Sequence, residues 1–287
     1  MTIREALVFG AKALKPHRCD GADPVREAEA LLVMAAGTSR ERFMLEPGTE
    51  LRAVAVRRYR ALLSRRRRHA PLAYLLGTAW FSGFEFAVDR RVLIPRPATE
   101  HVLAAALWAG IEQRTDLFID AGTGSGCIAV TAALSLPAAK VIATDDAAGA
   151  LSVARKNARR HGVTGRIRFA KGDLLKPAAA ALSGAEARPL IVANLPYVPA
   201  AQRVSPCVRS EPRRAVFAPK DGTGPYRRLF RQLADLRAGR PFVLLCEILP
   251  SQYAPLRREL LRSFPAAAVT PIKNHQHRTV GLRAIAR

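Results

Sequence analysis

The chain has 287 residues, enough for one large or two modest domains, and carries a formal net charge of +23 that is mostly arginine. Its longest apolar runs, such as 102–109 and 130–136, are too short to cross a bilayer, and "MTIREALVFGAKALKP" lacks the order of a signal peptide, so a cytoplasmic, non-membrane protein is expected. Cys19, Cys127, Cys207 and Cys246 stand without metal-ligand spacing; they are expected to be structural thiols in a reducing compartment, with no metal site. Arginine suits phosphate and carboxylate recognition, which makes RNA or a ribosomal particle a candidate partner. A coding bias toward arginine and alanine accounts for the same charge.

Residues 1–70 read as a helical domain. "TIREALVFGAKAL" places Ile3, Leu7, Ala11 and Leu14 at helical spacing behind Thr2 as N-cap, and "DPVREAEALLVMAAG" starts at Pro24 and stops at Gly37. A third helix, about 51–68, ends in "SRRRRH", read either as a solvated helix C-terminus or as a contact for a charged partner. Residues 71–98 change character: in "FSGFEFAVDRRVLI" Phe84, Phe86 and Val88 alternate as in a half-buried strand, and a linking β-hairpin is expected before the rigid "PRP".

From 99 to 287 strands and helices alternate, which means a mostly parallel sheet covered by helices on both faces. Ligands in such sheets bind at the carboxyl ends of the strands. The first strand end is "FIDAGTGSGCIAV", where Gly122, Gly124 and Gly126 let backbone approach a ligand. The spacing is G-x-G-x-G, not the G-x-G-x-x-G of dinucleotide binders. The next strand ends at Asp145, placed to accept from ribose hydroxyls, and a third at Asp173, where an adenine would lie. Together these strand ends resemble the pattern of S-adenosylmethionine-dependent methyltransferases.

The fourth strand end is Asn194-Leu195-Pro196-Tyr197, similar to the motif of class I methyltransferases that act on planar nitrogens. An amide nitrogen is a weak nucleophile because its lone pair is delocalised, so the site must hold the NH2 group and align it with the methyl carbon. The Asn194 side-chain oxygen and the Leu195 carbonyl are positioned to accept the two protons, with Tyr197 as an aromatic wall.

Over nearly its whole length the chain resembles the HemK/PrmC family of release-factor glutamine N5-methyltransferases. The resemblance rests on "TIREAL", "DPVREAEALLVMAAG", "PLAYLLGTAWFSGFEFAVDRRVLIPRPATE", "DAGTGSGCIAV" and "SEPRRAVFAPKDGTGPYRRL". It implies a class I methyltransferase fold, Rossmann-like with a seven-stranded, mostly parallel sheet, behind a small helical domain that docks a peptide chain release factor. It further implies S-adenosylmethionine as cofactor, held by Gly122, Thr123, Gly124, Ser125, Gly126, Asp145, Asp173, Leu174 and Asn194, with Asn194, Leu195, Pro196 and Tyr197 acting on the glutamine of a Gly-Gly-Gln loop. A monomer is expected.

The family's usual motif is N-P-P-Y, and N-L-P-Y is the form carried by ribosomal RNA adenine-N6 dimethyltransferases. Leu195 keeps the backbone carbonyl but regains an N–H and wider φ freedom, so a working, less pre-organised loop is expected. An RNA base, a small amide or amine, and a non-catalytic cofactor- or RNA-binding role stay open as alternatives. Arg96, Thr99 and Glu100 are candidates to reach the cofactor or the amide, or else hinge residues; Glu211 and Asp221 order a loop or cap a turn. His275 and His277 have no third metal ligand at suitable spacing.

Overall fold

The computed structural model describes residues 1–17, 19, 22–184, 189–237 and 239–286. It forms two compact units, one of residues 1–78 with 203–211, the other of 79–202 with 212–287.

The first unit is built from α1 (Ile3–Leu14), α2 (Pro24–Ala36), α3 (Arg40–Leu45), α4 (Ala53–Arg67) and α5 (Leu72–Leu76). Thr2 and Glu5 form a capping box at the start of α1, and Gly37 ends α2 in a left-handed conformation, φ 64°. Ile3, Ala6, Leu31, Leu32, Phe43, Tyr59 and Leu63 make the core. A side chain at Gly10 would overlap the Tyr59 hydroxyl, so α1 depends on that glycine to lie against α4. The basic run at the end of α4 is split by its own helical period. Arg65, Arg67 and Arg68 are exposed, whereas Arg66 is 2% exposed and makes a bidentate pair with Glu27, Nε–Oε2 3.0 Å and Nη2–Oε1 2.6 Å.

In the second unit, β1 (Thr78–Phe81) and β2 (Phe84–Ala87) form a two-stranded sheet ahead of α6 (Pro97–Glu112). There follow β3 (Leu117–Ala121), α7 (Cys127–Ser135), β4 (Lys140–Asp145), α8 (Ala148–Arg160), β5 (Ile167–Lys171), α9 (Ala179–Leu182) and β6 (Pro189–Ala193). After β7 (Val198–Pro199) the chain adds α10 (Pro206–Arg209) to the first unit, then returns through α11 (Arg213–Val216) and β8 (Phe217–Ala218). It finishes with α12 (Gly224–Arg237), β9 (Phe242–Glu247), α13 (Tyr253–Ser263), β10 (Ala268–Lys273) and β11 (Thr279–Ala286). Residues 203–211 therefore cluster with the first unit, although the sequence places them inside the 99–287 block. No local pattern announces that excursion.

The seven-stranded sheet has the order β10-β11-β9-β6-β3-β4-β5. Strands β9, β6, β3, β4 and β5 are parallel; β11 is antiparallel to both β9 and β10, so β11 alone runs against the other six strands of this sheet. Alternate residues serve opposite faces: Phe118, Val141, Leu190 and Val243 pack under α6, α7 and α8, while Ile119, Ile142, Ile191 and Leu244 pack with α12 and α13. From β3 the chain builds outward through β4 to β5, then crosses back to place β6 on the other side of β3. That reversal leaves a crevice at the carboxyl ends of β3 and β6.

The cysteine expectation needs correction. Cys19 and Cys207 are joined by a disulfide, with Cα atoms 6.2 Å apart and 188 residues of separation. Only Cys127 and Cys246 are buried thiols, and burial raises both above the ordinary thiol value, Cys127 to about 12. Among the described residues, no helix is long and apolar enough to cross a membrane.

Candidate active site

A cavity opens at that crevice, lined by Gly122, Thr123, Gly124 and Ser125 from the β3–α7 loop, Asp145 after β4, Asp173 and Leu174 after β5, and Asn194, Leu195 and Pro196 after β6. The loop is shaped by its backbone. The N–H groups of Gly122 and Thr123 both donate to the Thr144 carbonyl at 2.9 Å, and Gly122 and Gly124 adopt φ 81° and 55°. A Cβ on Gly122 would lie 2.9 Å from the Leu195 side chain, whereas Gly124 faces open space. Asn157 braces the loop from behind, donating to the carbonyls of Ser125 (2.8 Å) and Ala87 (2.9 Å).

Gly126, expected from sequence to help hold a cofactor, is not among the residues that line the cavity. It caps α7 at φ 80°, and a Cβ there would lie 2.9–3.0 Å from Ala154, so its smallness lets α7 pack on α8.

The acidic strand ends differ in what they hold. Asp145 accepts from the Gly124 N–H at 3.0 Å and the Ala147 N–H at 2.8 Å, and burial raises its carboxyl above the usual range. Each oxygen keeps a second lone pair for a hydroxyl. Asp173 is drawn to protein partners: Arg228 Nε at 3.1 Å and Gln232 Nε2 at 2.8 Å. Leu174 sits at φ 50°, and its carbonyl accepts from Thr144 Oγ1 at 2.7 Å. Asp120, fully buried beneath the loop, accepts from Thr123 Oγ1 at 2.6 Å and the Ala129 N–H at 3.1 Å through one oxygen. Its other oxygen has no hydrogen-bond partner, and burial pushes the carboxyl up to about 7.

Asn194 is oriented by a chain of hydrogen bonds. Its Nδ2 donates to Thr99 Oγ1 at 3.0 Å. The single Thr99 hydroxyl proton goes to Glu247 Oε2 at 2.6 Å, so Thr99 has only a lone pair to offer Asn194. Glu247, 1% exposed at the end of β9, also accepts from Tyr197 at 2.8 Å through Oε1. Burial raises the Glu247 carboxyl, against the two hydrogen bonds and the Arg96 charge that lower it. This polarity points the amide's donor end at Thr99 and leaves Oδ1 as the acceptor for another group.

Leu195 is anchored at both ends. Its side chain is buried against Gly122, and the N–H that a proline would lack donates to the Tyr226 hydroxyl at 3.2 Å. Tyr226 in turn donates to the Glu247 carbonyl. The Leu195 carbonyl lies 3.4 Å from that hydroxyl, whose proton is already directed elsewhere, and so keeps acceptor capacity. Tyr197 does not line the cavity; its hydroxyl is taken by Glu247 and its carbonyl accepts from Gln252 Nε2 at 2.8 Å.

The sequence reading left Glu247 and Tyr226 without a role and Thr99 undecided between hinge and site. The acid closing "FVLLCE" matches the other strand ends and was the signal for Glu247; Tyr226 gave none. Glu100 is occupied by the Ser82 N–H at 2.8 Å, and Asp221 accepts from the Thr223 N–H at 3.0 Å and the Thr223 hydroxyl at 2.7 Å in the turn before α12.

The sheet order, the glycine loop and the amide at the end of β6 define a class I methyltransferase. Solved structures of the human METTL16 catalytic domain share the fold: in complex with MAT2A 3'UTR hairpin 1 the TM-score is 0.53 at 17% identity over 98% of this chain and 90% of that one, and the N-terminal domain in complex with SAH gives 0.52 at 16% over 88% and 93%. Residues 5–77 match the PrmC N-terminal domain, and residues 98–198 match the ribosomal protein L11 methyltransferase (PrmA) family. The release factor glutamine methyltransferase of Moorella thermoacetica is 38% identical over 93% of this chain and 92% of its own, and that of Deinococcus radiodurans 34% over 99% of both. That of Chlorobaculum tepidum is 42% identical over 69% of each chain. The chain belongs to the release factor glutamine methyltransferase family, HemK/PrmC.

Proposed function

We propose that the protein methylates the side-chain amide nitrogen of a glutamine, in the Gly-Gly-Gln loop of a peptide chain release factor, with S-adenosylmethionine as donor. The fixed polarity of Asn194 carries this reading. Oδ1 of Asn194 and the Leu195 carbonyl are two acceptors at one strand end, matched to the two N–H bonds of a primary amide. Holding both protons orients the nitrogen lone pair and stabilises positive charge as it develops. The proton leaves after the nitrogen becomes cationic, so no strong base is needed.

The residues present fit the donor. Gly122 and Gly124 leave a cradle without side chains, and Asp145 offers lone pairs at the next strand end. Gly122, Thr123, Gly124, Ser125, Asp145, Asp173 and Leu174 would hold it. When bound, S-adenosylmethionine supplies an electrophilic methyl group on a sulfonium. On the same reading, residues 1–70 dock the release factor, 71–98 link, and 99–287 carry the transfer. The exposed Arg57, Arg58, Arg60, Arg65, Arg67 and Arg68 of α4 and its end offer a contact for ribosomal RNA, and the protein works as a cytoplasmic monomer.

The test is transfer of tritiated methyl from S-adenosylmethionine to purified release factor, a Gly-Gly-Gln peptide, small ribosomal subunits or no acceptor. Label on the factor that vanishes when its glutamine is replaced supports the proposal. Label on RNA or a small amine overturns it, as does cofactor binding without transfer to any acceptor.

A further inference from the structure

Within the first unit, three residues far apart in sequence converge: Cys19, His69 and Cys207 place a ligand-type atom each within 4.8 Å of one another. Arg66 completes the cluster. Its Nη1 lies 3.0 Å from the Cys207 sulfur and 3.4 Å from the Cys19 sulfur, and donates to the Ala70 carbonyl at 3.2 Å. The guanidinium cannot swing away, because both Glu27 oxygens grip its other nitrogens and the side chain is buried. His69 is held at φ 62°, a conformation that costs about 1 kcal/mol for a residue with a side chain. Its carbonyl accepts from Ser210 Oγ at 3.2 Å, tying the turn after α4 to the segment that bears Cys207.

We propose that Cys19 and Cys207 form a reversible thiol–disulfide site, activated by Arg66, that makes and breaks by exchange with low-molecular-weight thiols and disulfides. A buried disulfide needs no cation beside it, but the thiolates formed on its reduction do. A guanidinium fixed against both sulfurs therefore favours the reduced form more than a neutral neighbour would, which is the environment of a labile bond and not an inert one. In oxidation, a cysteine thiolate attacks the external disulfide, forms a mixed disulfide and expels one thiolate. The second cysteine, its thiolate stabilised by the Arg66 guanidinium, attacks the mixed disulfide and expels the other, and the two protons given up by the protein thiols end on the two external thiols. Two protein thiols and one external disulfide become one protein disulfide and two external thiols, so atoms and electrons balance. The reverse runs with a dithiol.

The same three residues resemble a metal set, but the charge argues otherwise. A divalent cation between the sulfurs would lie beside a guanidinium that already donates to both of them, and Glu27 spends both oxygens on that guanidinium. Cys127 and Cys246 provide the internal control, since burial raises both thiols. The cross-link closes 188 residues of chain and fixes α10, whose segment covalently connects β7, just past Pro196, to Arg214 and Ala215 of the cavity lining.

The test equilibrates the full-length folded protein with glutathione couples of graded ratio, quenches with acid, alkylates free thiols and reads intact mass with peptide mapping. The expected result is a reversible loss of two hydrogens that maps to Cys19–Cys207, while Cys127 and Cys246 remain thiols. Arg66→Gln should shift the equilibrium toward the disulfide by about tenfold, with partial recovery in Arg66→Lys. Should Arg66→Gln fail to fold, the reduced wild-type protein should show thiolate ultraviolet absorbance at neutral pH that Cys19→Ser and Cys207→Ser each diminish. Absence of the cross-link at every ratio overturns the proposal, as does a cross-link that no dithiol reduces without unfolding. So does a reduced protein that retains one equivalent of zinc on metal analysis.

Discussion

Thr99 and Glu247 stand 148 residues apart in the chain and meet in a 2.6 Å hydrogen bond that decides which way the Asn194 amide faces. The bond has a direction only because Glu247 is an acceptor. Replacing it with glutamine breaks that condition, since one oxygen cannot accept from both Thr99 and Tyr197, and the Nε2 end must face one of them. Glu247→Gln should lower kcat by about tenfold to a hundredfold through misplacement of the amide, with donor affinity roughly unchanged. Steady-state kinetics paired with calorimetry of donor binding checks this; a fall in donor affinity alone would place Glu247 outside the orienting chain.

The same carboxyl sets an acid limit. Burial raises Glu247 above the ordinary carboxylate value, so it gains a proton at a higher pH than a surface glutamate does. Once protonated it competes as a donor toward Thr99 and frees Asn194 to turn. Activity should therefore fall as pH drops through a value above the ordinary carboxylate range, and Glu247→Gln should remove that limb and leave a low, flat profile. A wild-type acid limb at the ordinary carboxylate position would refute the assignment.

Thr99 divides the role further. Thr99→Ser keeps the hydroxyl and should retain most turnover, whereas Thr99→Val keeps the shape, removes both hydrogen bonds and leaves a buried Glu247 oxygen without its donor. The valine variant should lose about tenfold or more in kcat and about 1–3 kcal/mol in stability. Equal kinetics for the two variants would show that only the methyl group matters.

Asp120 links the cofactor loop to stability. Its carboxyl titrates near 7 in the fold against an ordinary 3.8, so between those values the folded chain holds a proton that the unfolded chain has released. Stability falls as pH rises through that window, by an amount on the order of 4 kcal/mol, and levels off above it. Asp120→Asn lacks this term: whatever its starting penalty, its stability relative to wild type should improve as pH rises from about 4 to 7. Denaturant titrations of both proteins across that range measure the difference, and parallel curves would contradict it.

The parts of the site that read directly from sequence are those where residue type and backbone demand coincide locally. Gly122 and Gly124 need positive φ, Asp145 and Asp173 close strands, and Asn194 ends an apolar run; each is a signal confined to a few residues. What failed to show is what the sheet brings together across distance. Thr99 at the start of α6 and Glu247 at the end of β9 are adjacent because both edge β6, and Cys19 meets Cys207 only because a short segment leaves one unit for the other. Gly126 carries a second demand that its place in the glycine loop does not reveal: a Cβ there would lie 2.9–3.0 Å from Ala154, so it also serves α7–α8 packing.

Leu195 shows how a departure from the family motif is absorbed. Its N–H, absent from a proline at this position, is satisfied by Tyr226, and its side chain fills the space beside Gly122. Pre-organisation lost at φ is thus restored by a hydrogen bond. Tyr226→Phe should cost this chain about 1–3 kcal/mol and several-fold in kcat, because it strands the buried Leu195 N–H. Leu195→Pro removes that donor, so in the double variant the tyrosine loss should hurt less than in the single one, by about 1 kcal/mol in a double-mutant cycle. Additive effects would mean that Tyr226 supports the loop only through the Glu247 carbonyl, which both backgrounds share.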